Sequence, residues 1–423
     1  MITANAFRGK RYAVYGLART GKAVIDALVA SGADVVAWDD KPAAREDCAV
    51  PLVDLHDANL VGLDALVVSP GVPLRTHPLT QRAAGAGVRI IGDIELFAQA
   101  RTELPSHRVV GITGTNGKST TTALIHHLLQ SAGVEARLGG NIGLPIMAQE
   151  PLPAGGVYVL ELSSYQLDLT FSLDCDVAVL LNITPDHLDR HGDMAGYAAA
   201  KARLFAMQSD DHTAVIAAED DYTRAVAASV SAKLVTVATT DIGTEQADWP
   251  SLQGPHNAQN AAAAIATVRA LGLTDAQIAA GLASYPGLEH RMERVREMNG
   301  VLFVNDSKAT NPTSTAPALA AYPRIHWIAG GLAKTLELDA CLPQLGHVAA
   351  AYLIGEAMPV FASILKPHVP VIEAGTLEVA TRTAAAAARP GDTVLLSPAC
   401  ASFDQFSDFE ARGRAFVSIV ESL

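Results

Sequence analysis

The stretch "GITGTNGKST", residues 111–120, carries residue types that hold a nucleotide phosphate. Gly114 and Gly117 let the backbone approach phosphate oxygens and adopt positive φ angles. Lys118 is placed to reach the β- and γ-phosphates, and Ser119 is placed to ligate Mg²⁺. The standard pattern has a further glycine that this chain lacks, so the loop is a variant. An apolar run precedes it and leucines at helical spacing follow it, which predicts a nucleotide site between a strand and a helix.

A carboxylate at the end of another apolar run is the best candidate for a second magnesium ligand. Glu161 ends "VYVLE", and a buried carboxylate is costly there unless it is paired or bound to a metal ion. The alternative is a glutamate at a solvent-exposed strand end. Only the burial of this side chain separates the two interpretations.

The segment "NITPDHLDRHG" places two histidines four residues apart. Thr184 and Pro185 predict a helix start, which would put His187 and His191 on one helix face. The zinc pattern H-E-x-x-H needs glutamate where this chain has Leu188, so the sequence does not support that site. A histidine beside nucleotide-bound Mg²⁺ fits better, and a hydrogen-bonding cap remains the alternative.

Three further polar residues in helical stretches carry no signal by themselves. Lys201 in "YAAAKARLF" has the pattern of a solvated helix lysine. Asn257 and Asn260 in "GPHNAQNAA" have the pattern of residues at a helix start.

Polar clusters follow three apolar runs in the last third of the chain. "NDSKATNP" contains Asp306, Ser307, Lys308 and Thr310, and "GGLAK" and "SPACASFDQF" follow later runs. The carboxyl ends of parallel strands form the ligand-binding edge of an α/β sheet. We therefore expect the three clusters to share one edge of a sheet.

The start of the chain offers a weaker ligand signal. "GLARTG", residues 16–21, follows the apolar run "RYAVY" at a strand-to-helix turn, where α/β folds commonly bind phosphate. It lacks the full G-x-G-x-x-G, so a dinucleotide site is weakly supported and a simple tight turn remains open.

Alternating apolar runs and helical stretches along the 423 residues predict an α/β protein. We predict three consecutive Rossmann-like or P-loop domains with mostly parallel sheets. The predicted ranges are 1–100, 101–288 and 289–423, and the central range holds the variant loop.

Composition and charge exclude several classes of protein. The net charge of −13 opposes nonspecific binding to nucleic acid. Four widely separated cysteines form no C-x-x-C pair, so neither a disulfide framework nor a structural zinc site is supported. No apolar run approaches the roughly 18 residues of a membrane span, and no secretory signal is visible. We expect a cytoplasmic protein without a membrane span.

Taken together, these segments resemble the Mur ligases, the ATP-dependent amino-acid-adding enzymes of peptidoglycan synthesis. The resemblance covers essentially the whole chain. "GDIELF", "ELSSYQL" and "SPACASFDQF" resemble the D-glutamate-adding branch of the family. Further matching stretches are "SPGVP", "GTNGKST", "GNIG", "NITPDHLDRHG", "HNAQNAAAA", "EHRME" and "NDSKATNP".

The resemblance implies ATP, two Mg²⁺ ions and a carbamylated lysine at Lys201. Ser119, Glu161, His187 and the carbamate of Lys201 would serve the metal ions. The implied catalytic set is Lys118, Glu161, His187, Lys201 and Lys308. The implied ATP contacts are Gly114, Thr115, Asn116, Gly117, Lys118, Ser119, Thr120, Asn257, Asn260, Arg291 and Asp306.

The resemblance also implies the substrates UDP-N-acetylmuramoyl-L-alanine and D-glutamate. The UDP-linked substrate would contact Gly16, Leu17, Ala18, Arg19, Thr20, Asp39, Asp40, Ser69, Pro70, Gly71 and Asn141. The amino acid would meet Lys308, Thr310, Lys334, Ser402, Phe403 and Phe409. A monomer is expected.

The implied reaction joins the two substrates through an acyl phosphate made from ATP. Another ATP-dependent amide ligase, such as a sibling Mur enzyme or a folylpolyglutamate synthase, is the nearest alternative. A nucleotide-sensing or scaffold protein that binds ATP without chemistry is an alternative of a different class. A dehydrogenase is a remote third, because the glycine fingerprint in "GLARTG" is incomplete.

Overall fold

Three sheets make up the framework of the protein in the computed structural model, which describes residues 1–333 and 335–423. The first sheet has the strand order β2-β1-β3-β4, and all of its pairings are parallel. Its strands are β1 (Arg11–Tyr15), β2 (Asp34–Trp38), β3 (Ala65–Val68) and β4 (Ile90–Ile91), and its helices are α1 (Arg19–Ala30), α2 (Pro42–Arg45), α3 (Pro78–Gly85) and α4 (Asp93–Ala100).

The second sheet is fully parallel, with the order β10-β9-β8-β5-β7-β6. Its central strands are continuous apolar runs because helices cover both faces of such a sheet. The strands are β5 (His107–Thr113), β6 (Ala136–Gly140), β7 (Gly156–Glu161), β8 (Val177–Leu180), β9 (Thr213–Ala217) and β10 (Lys233–Val237). The helices are α5 (Lys118–Ser131), α6 (Ser164–Asp168), α7 (Leu188–His191), α8 (Met194–Ala206), α9 (Asp221–Ala227), α10 (Pro255–Ala270) and α11 (Asp275–Ser284).

The third sheet has the order β11-β12-β16-β13-β14-β15, and only the β11–β12 pair among the described strands is antiparallel. The strands are β11 (Glu293–Met298), β12 (Val301–Asn305), β13 (Ile325–Gly330), β14 (Val348–Ile354), β15 (Val371–Gly375) and β16 (Thr393–Leu396). The helices are α12 (Pro312–Leu319), α13 (Met358–Leu365), α14 (Leu377–Ala387) and α15 (Phe409–Glu421).

The chain divides into two compact units. One comprises Met1–Ala238 and Ala263–Gly281 and holds the first two sheets, and the other comprises Thr239–Ala262 and Leu282–Leu423. Glu95 of "GDIELF" explains part of the first grouping. Its carboxylate accepts hydrogen bonds from the Phe171 amide at 2.7 Å and from the Ser172 amide at 3.0 Å. Phe171 and Ser172 lie between α6 and β8, so these bonds join α4 to the part of the chain that forms the second sheet.

The predicted α/β class with mostly parallel sheets is confirmed. The three predicted domain boundaries stay predictions. No helix among the described residues combines the length and apolar character needed to cross a membrane. The strands β6, β10, β11 and β15 lie in stretches where the sequence pattern indicated none.

Candidate active site

The glycine-rich loop lies between β5 and α5, as the sequence predicts. Gly114 and Gly117 have φ angles of +150° and +84°, which side chains disfavour. The Thr115 amide donates to the Asn182 carbonyl, and the Asn116 amide donates to Asn182 Oδ1, both at 2.8 Å. Asn182, which follows β8, thus holds the loop in place by these hydrogen bonds. Helix α5 begins at Lys118, so the positive end of its dipole lies at the loop.

Two lysine side chains donate to one carbonyl of this loop. Lys118 Nζ lies 2.9 Å and Lys201 Nζ 2.7 Å from the Gly114 oxygen. Lys201 is only 1% exposed, and its ammonium stands 4.4 Å from the Tyr197 ring centre. Burial, and then the charge of Lys118, holds the pKa of Lys201 well below its usual range. Lys201 has no ion pair with a carboxylate among the residues described.

Glu161 is buried at the end of β7, which excludes the interpretation of an exposed strand end. Its Oε1 accepts from Asn141 Nδ2 at 2.9 Å. Its Oε2 is buried and has no hydrogen-bond partner in the described part of the chain. A buried carboxylate oxygen without a donor is costly, and a bound cation removes that cost. The residues therefore fit a magnesium ion.

Gly140 allows Asn141 to reach Glu161. Its φ is +85°, and a Cβ at this position would lie 2.1 Å from the Glu161 carbonyl oxygen. The Asn141 amide donates to that same oxygen at 2.8 Å. A glycine is required here because β6 and β7 approach so closely.

The predicted helix start at Thr184 and Pro185 is wrong. Helix α7 begins at Leu188, and His187 precedes it with a left-handed φ of +53°. Tertiary hydrogen bonds override the local helix signal, because the Thr184 amide donates to Thr115 Oγ1 at 3.0 Å. His191 Nε2 lies 3.0 Å from Ser164 Oγ, and the rings of His187 and His191 both contact Tyr165 and Tyr197.

His187 is held by an aromatic partner that the sequence analysis missed. Its Nδ1 lies 3.0 Å from the Tyr165 hydroxyl. Burial lowers the pKa of His187, and the charges of Lys118 and Lys201 lower it further. The neutral imidazole is the form that binds a metal ion. Tyr165 lies in the matching stretch "ELSSYQL", but only the tertiary structure joins it to His187.

The register of the sheet brings these residues to one edge. Ile112 pairs with Glu161 and Thr113 pairs with Leu180, so β5, β7 and β8 end at the same level. The segments after these three strands carry the loop, Glu161 and His187. Helix α8 adds Lys201, and helix α5 adds the buried Ser119 and then Thr120. These predicted residues do come together.

The predicted UDP contacts other than Asn141, which follows β6, gather at the end of the first sheet. Gly16 has a φ of +98°, and Ser69 Oγ donates to its carbonyl at 3.1 Å. The Leu17 amide donates to Asp39 Oδ2 at 2.7 Å, so Asp39 shapes this turn. The remaining members adjoin it: Ala18, Arg19 and Thr20 at the start of α1, Asp40 after β2, and Pro70 and Gly71 after Ser69.

In the second compact unit, the predicted residues cluster after β12 and β16. Asp306 Oδ2 accepts from Ser397 Oγ at 2.8 Å, and Asp306 Oδ1 accepts from the Met292 amide at 3.2 Å. The Lys308 ammonium stands 3.9 Å from the Phe409 ring centre. Ser402 Oγ is buried without a hydrogen-bond partner in the described ranges.

The other predicted residues of this unit differ in exposure and in hydrogen bonding. Phe403 is 68% exposed, and Thr310 is half-buried. Asn260 Nδ2 donates to Asn257 Oδ1 at 3.1 Å within α10, and both side chains are buried. Arg291 lies beside β11. Lys334 lies outside the described residues.

Arg412 on α15 is a buried residue that the sequence analysis missed. Its guanidinium donates to the carbonyls of Ser307, Cys400 and Ala401 and to Ser307 Oγ, at 2.8 to 3.3 Å. It therefore joins the segment carrying Lys308 to the segment carrying Ser402. Burial lowers its pKa to about 10, so the side chain stays charged at neutral pH.

Burial of Asp306 makes stability depend on pH. The pKa of Asp306 is raised to about 7, chiefly by burial, although Ser397, the Met292 amide, Arg291 and Arg412 oppose the rise. Well below the unfolded pKa of about 3.9 the carboxyl is protonated in both states, and its burial does not oppose folding. As pH rises from 4 to 7, the unfolded chain ionises first and the folded state loses stability.

We therefore expect Asp306→Asn to raise the thermal midpoint by clearly more at pH 8 than at pH 4.5. Calorimetry of both proteins at the two pH values measures this difference. Asp248→Asn, at an exposed position, is the matched control and should leave the midpoint unchanged. An equal shift of the Asp306→Asn midpoint at both pH values would contradict the assignment.

Comparison with known proteins agrees with this arrangement. Residues 10–92 match the MurD-like N-terminal domain of Mur ligases, residues 112–251 the Mur ligase middle domain, and residues 290–400 the Mur ligase glutamate ligase domain. The chain belongs to the Mur ligase family, and it is an ATP-dependent ligase.

Curated relatives cover the chain from end to end. The UDP-N-acetylmuramoylalanine–D-glutamate ligase of Novosphingobium aromaticivorans is 60% identical over 100% of this chain and 97% of that protein. The enzyme of the same name from Zymomonas mobilis is 55% identical, with 100% of both chains covered.

Solved structures share the fold at low sequence identity. MurF from Acinetobacter baumannii has a TM-score of 0.63 and 17% identity, over 98% of this chain and 92% of its own. FolC from E. coli, in complex with DHPP and ADP, has a TM-score of 0.55 and 18% identity, over 78% and 93%. These likenesses concern the fold alone.

Proposed function

We propose that this chain adds D-glutamate to UDP-N-acetylmuramoyl-L-alanine, with ATP converted to ADP and phosphate, in peptidoglycan precursor synthesis. The observation that carries the proposal is the 60% identity over the whole chain to a protein of that name. The site supports it, because a phosphate loop, two lysines and a buried carboxylate oxygen that has no donor among the described residues meet at one sheet edge.

The proposed reaction begins at the alanyl carboxylate of the UDP-linked substrate. One of its oxygens attacks the γ-phosphorus of ATP, the bond to the β-phosphate oxygen breaks, and ADP leaves. Lys118 and the α5 N-terminus reduce the repulsion between the two anions. The amine of glutamate then attacks the carbonyl carbon of the acyl phosphate. A tetrahedral oxyanion forms and collapses to the amide with release of phosphate.

We propose that Ser119, Glu161 and His187 hold two Mg²⁺ ions, with Lys201 as a carbamate beside the second. Bound Mg²⁺ would polarise the γ-phosphate and offset its charge. Oxygen donors and a neutral imidazole suit this role. The burial and lowered pKa of Lys201 support the carbamate, because carbon dioxide reacts with the neutral amine of a lysine.

The remaining predicted residues take substrate roles in the proposal. Gly16–Thr20, Asp39, Asp40, 69–71 and Asn141 would hold the UDP-linked substrate. The amino acid would meet Lys308, Thr310, Lys334, Ser402, Phe403 and Phe409, and the proposed nucleotide contacts include Thr115, Asn116, Asn257, Asn260, Arg291 and Asp306.

A monomer acting in the cytoplasm completes the proposal. Sedimentation velocity with and without substrates tests the monomeric state, and a substrate-independent dimer would contradict it.

The experiment that tests the function measures ADP release with Mg-ATP and UDP-N-acetylmuramoyl-L-alanine. D-glutamate, L-glutamate, meso-diaminopimelate and L-alanine are added separately, and the product is identified by its mass. We expect release and a new amide with D-glutamate only. Release with L-glutamate alone would overturn the stereochemical assignment, and release with none of them would overturn the substrate assignment.

Arg412 is expected to position the amino-acid pocket. A lysine at this place has one ammonium and cannot donate to four acceptors in two segments. Arg412→Lys should therefore raise KM for D-glutamate about tenfold, equivalent to about 1.4 kcal/mol, and leave KM for ATP within about twofold.

Steady-state kinetics with D-glutamate and ATP varied in turn measure the two KM values. Arg414→Lys, at an exposed position on the same helix, is the matched control and should change neither constant. Equal increases in both KM values would indicate a general structural defect instead of a positioning role.

A further inference from the structure

A cluster of two histidines and a carboxylate lies at the end of the first sheet, apart from the residues proposed for magnesium. Its carboxylate, Asp40, is also among the residues proposed to contact the UDP-linked substrate. The ligand atoms of Asp40, His56 and His77 all lie within 4.8 Å of one another. His56 Nε2 is 2.9 Å from Asp40 Oδ1. The Tyr15 hydroxyl donates to Asp40 Oδ2 at 2.6 Å and lies 3.0 Å from His77 Nε2.

The cluster is assembled by segments far apart in the chain. Tyr15 ends β1, Asp40 follows β2, His56 lies in the connection before β3, and His77 caps α3. His56 and His77 are partly buried, whereas Asp40 is exposed, so an ion can enter from solvent. The imidazole rings stand with centres 5.6 Å apart. His56 Nε2 lies against Asp40, and His77 Nε2 lies against the Tyr15 hydroxyl that donates to Asp40.

We propose that Asp40, His56 and His77 form a binding site for one divalent transition-metal ion, with the Tyr15 hydroxyl as a neighbouring oxygen. Two imidazoles and one carboxylate are a donor set typical of Zn²⁺, and three protein ligands leave a position for water. A set with two imidazoles among three ligands favours Zn²⁺ over Mg²⁺, whereas the site proposed around Glu161 has one imidazole among oxygen donors.

The protonation of the cluster suits a metal ion at neutral pH. Burial lowers the pKa of His77, and the neighbouring His56 lowers it further, so its imidazole is neutral. Hydrogen bonds from Tyr15 and His56 lower the pKa of Asp40, so its carboxylate is ionised. Metal ligands need these same deprotonated forms.

Only a small movement closes the site around an ion. Zn²⁺ bonds to nitrogen and carboxylate oxygen at about 2.0–2.2 Å, so ligand atoms on one ion stand roughly 3.3 Å apart. The present upper separation of 4.8 Å must therefore shrink by roughly 1.5 Å. We expect rotation of the exposed Asp40 side chain, with small shifts of the two partly buried imidazoles, to supply this movement.

Calorimetric titration of the tag-free, chelator-treated full chain with ZnCl₂ tests the proposal. Saturating Mg²⁺ is present to occupy the centre around Glu161, and no substrate is added, so the result does not depend on the proposed function. We expect one Zn²⁺ per chain at the new site. His56→Asn and His77→Asn should each weaken that event at least about tenfold.

The variants are chosen to leave the fold intact. His77 Nδ1 accepts from the Leu79 amide at 3.4 Å and caps α3, and asparagine keeps an acceptor at that position while removing Nε2. His212→Asn is the matched control. His212 also pairs with a carboxylate, Asp174 at 2.9 Å, but belongs to no group of three ligands among the described residues, so zinc binding should be unchanged.

Cobalt provides a second readout of the same ligands. Co²⁺ added to the wild-type chain should give visible absorption of a four- or five-coordinate ion, and both histidine variants should lose it. Zinc affinity and cobalt absorption that are unchanged in His56→Asn and His77→Asn would overturn the proposal and leave the cluster as a hydrogen-bonded network. The same conclusion follows if the wild-type chain binds no zinc.

Discussion

Glu161→Gln is expected to lower kcat about a thousandfold while the chain remains folded. Glutamine keeps the shape of the side chain and an oxygen for the Asn141 amide group, which now donates to Oε1 at 2.9 Å. It removes the negative charge and the metal-binding capacity of Oε2, the buried oxygen that lacks a donor in the described structure. Loss of several kcal/mol of metal stabilisation corresponds to about three factors of ten in rate.

ADP release at increasing Mg²⁺ measures the effect of Glu161→Gln. The variant should need more Mg²⁺ for half-maximal rate, and its thermal midpoint should be at least that of the wild type, because an uncompensated buried charge has been removed. Glu373→Gln is the matched control, since Glu373 forms an exposed ion pair with Lys366 at 2.8 Å. Wild-type turnover in Glu161→Gln would remove Glu161 from the metal centre.

Lys201→Ala is expected to lower kcat about 10- to 100-fold, with partial recovery on addition of formate or acetate. The small carboxylate would occupy the space of the lost carbamate. Lys201→Arg should be equally inactive and should not recover, because the guanidinium fills the space and forms no carbamate. Lys366→Ala, at an exposed position, is the control for loss of a lysine.

The carbamate itself is measured without turnover. The wild-type chain in ¹³C-bicarbonate should show a carbamate carbon signal that Lys201→Ala and Lys201→Arg both lack. A wild-type spectrum without this signal, or full activity in Lys201→Ala, would contradict the role. Loss of activity without recovery, while the signal is present, would place Lys201 in loop packing through its bond to the Gly114 carbonyl.

The phosphate loop and Glu161 could be predicted because their signals are local. Glycines before Lys118 and Ser119, with an apolar run before them, define a strand, a loop and a helix within a few residues. Glu161 ends an apolar strand, and its burial follows from the burial of that strand. The predictions of site roles rest on such signals and on the family resemblance.

The partners of these residues could not be predicted, because sequence spacing does not reveal them. Tyr165 meets His187 across 22 residues, and Arg412 meets Ser307 across 105. The helix expected from Pro185 did not form, because the Thr184 amide donates to Thr115 Oγ1 in the glycine-rich loop. At this position a tertiary hydrogen bond outweighs the local propensity to start a helix.

The sequence by itself determined the α/β class, the phosphate loop and the family of this protein, because periodicity and short motifs act within one strand–helix unit. Only the tertiary structure decided that Lys201, 87 residues from Gly114, is buried and donates to the same Gly114 carbonyl as Lys118. It also placed Asp40, His56 and His77 together. Both outcomes depend on which strands lie side by side, and strand order is set by packing of the whole sheet.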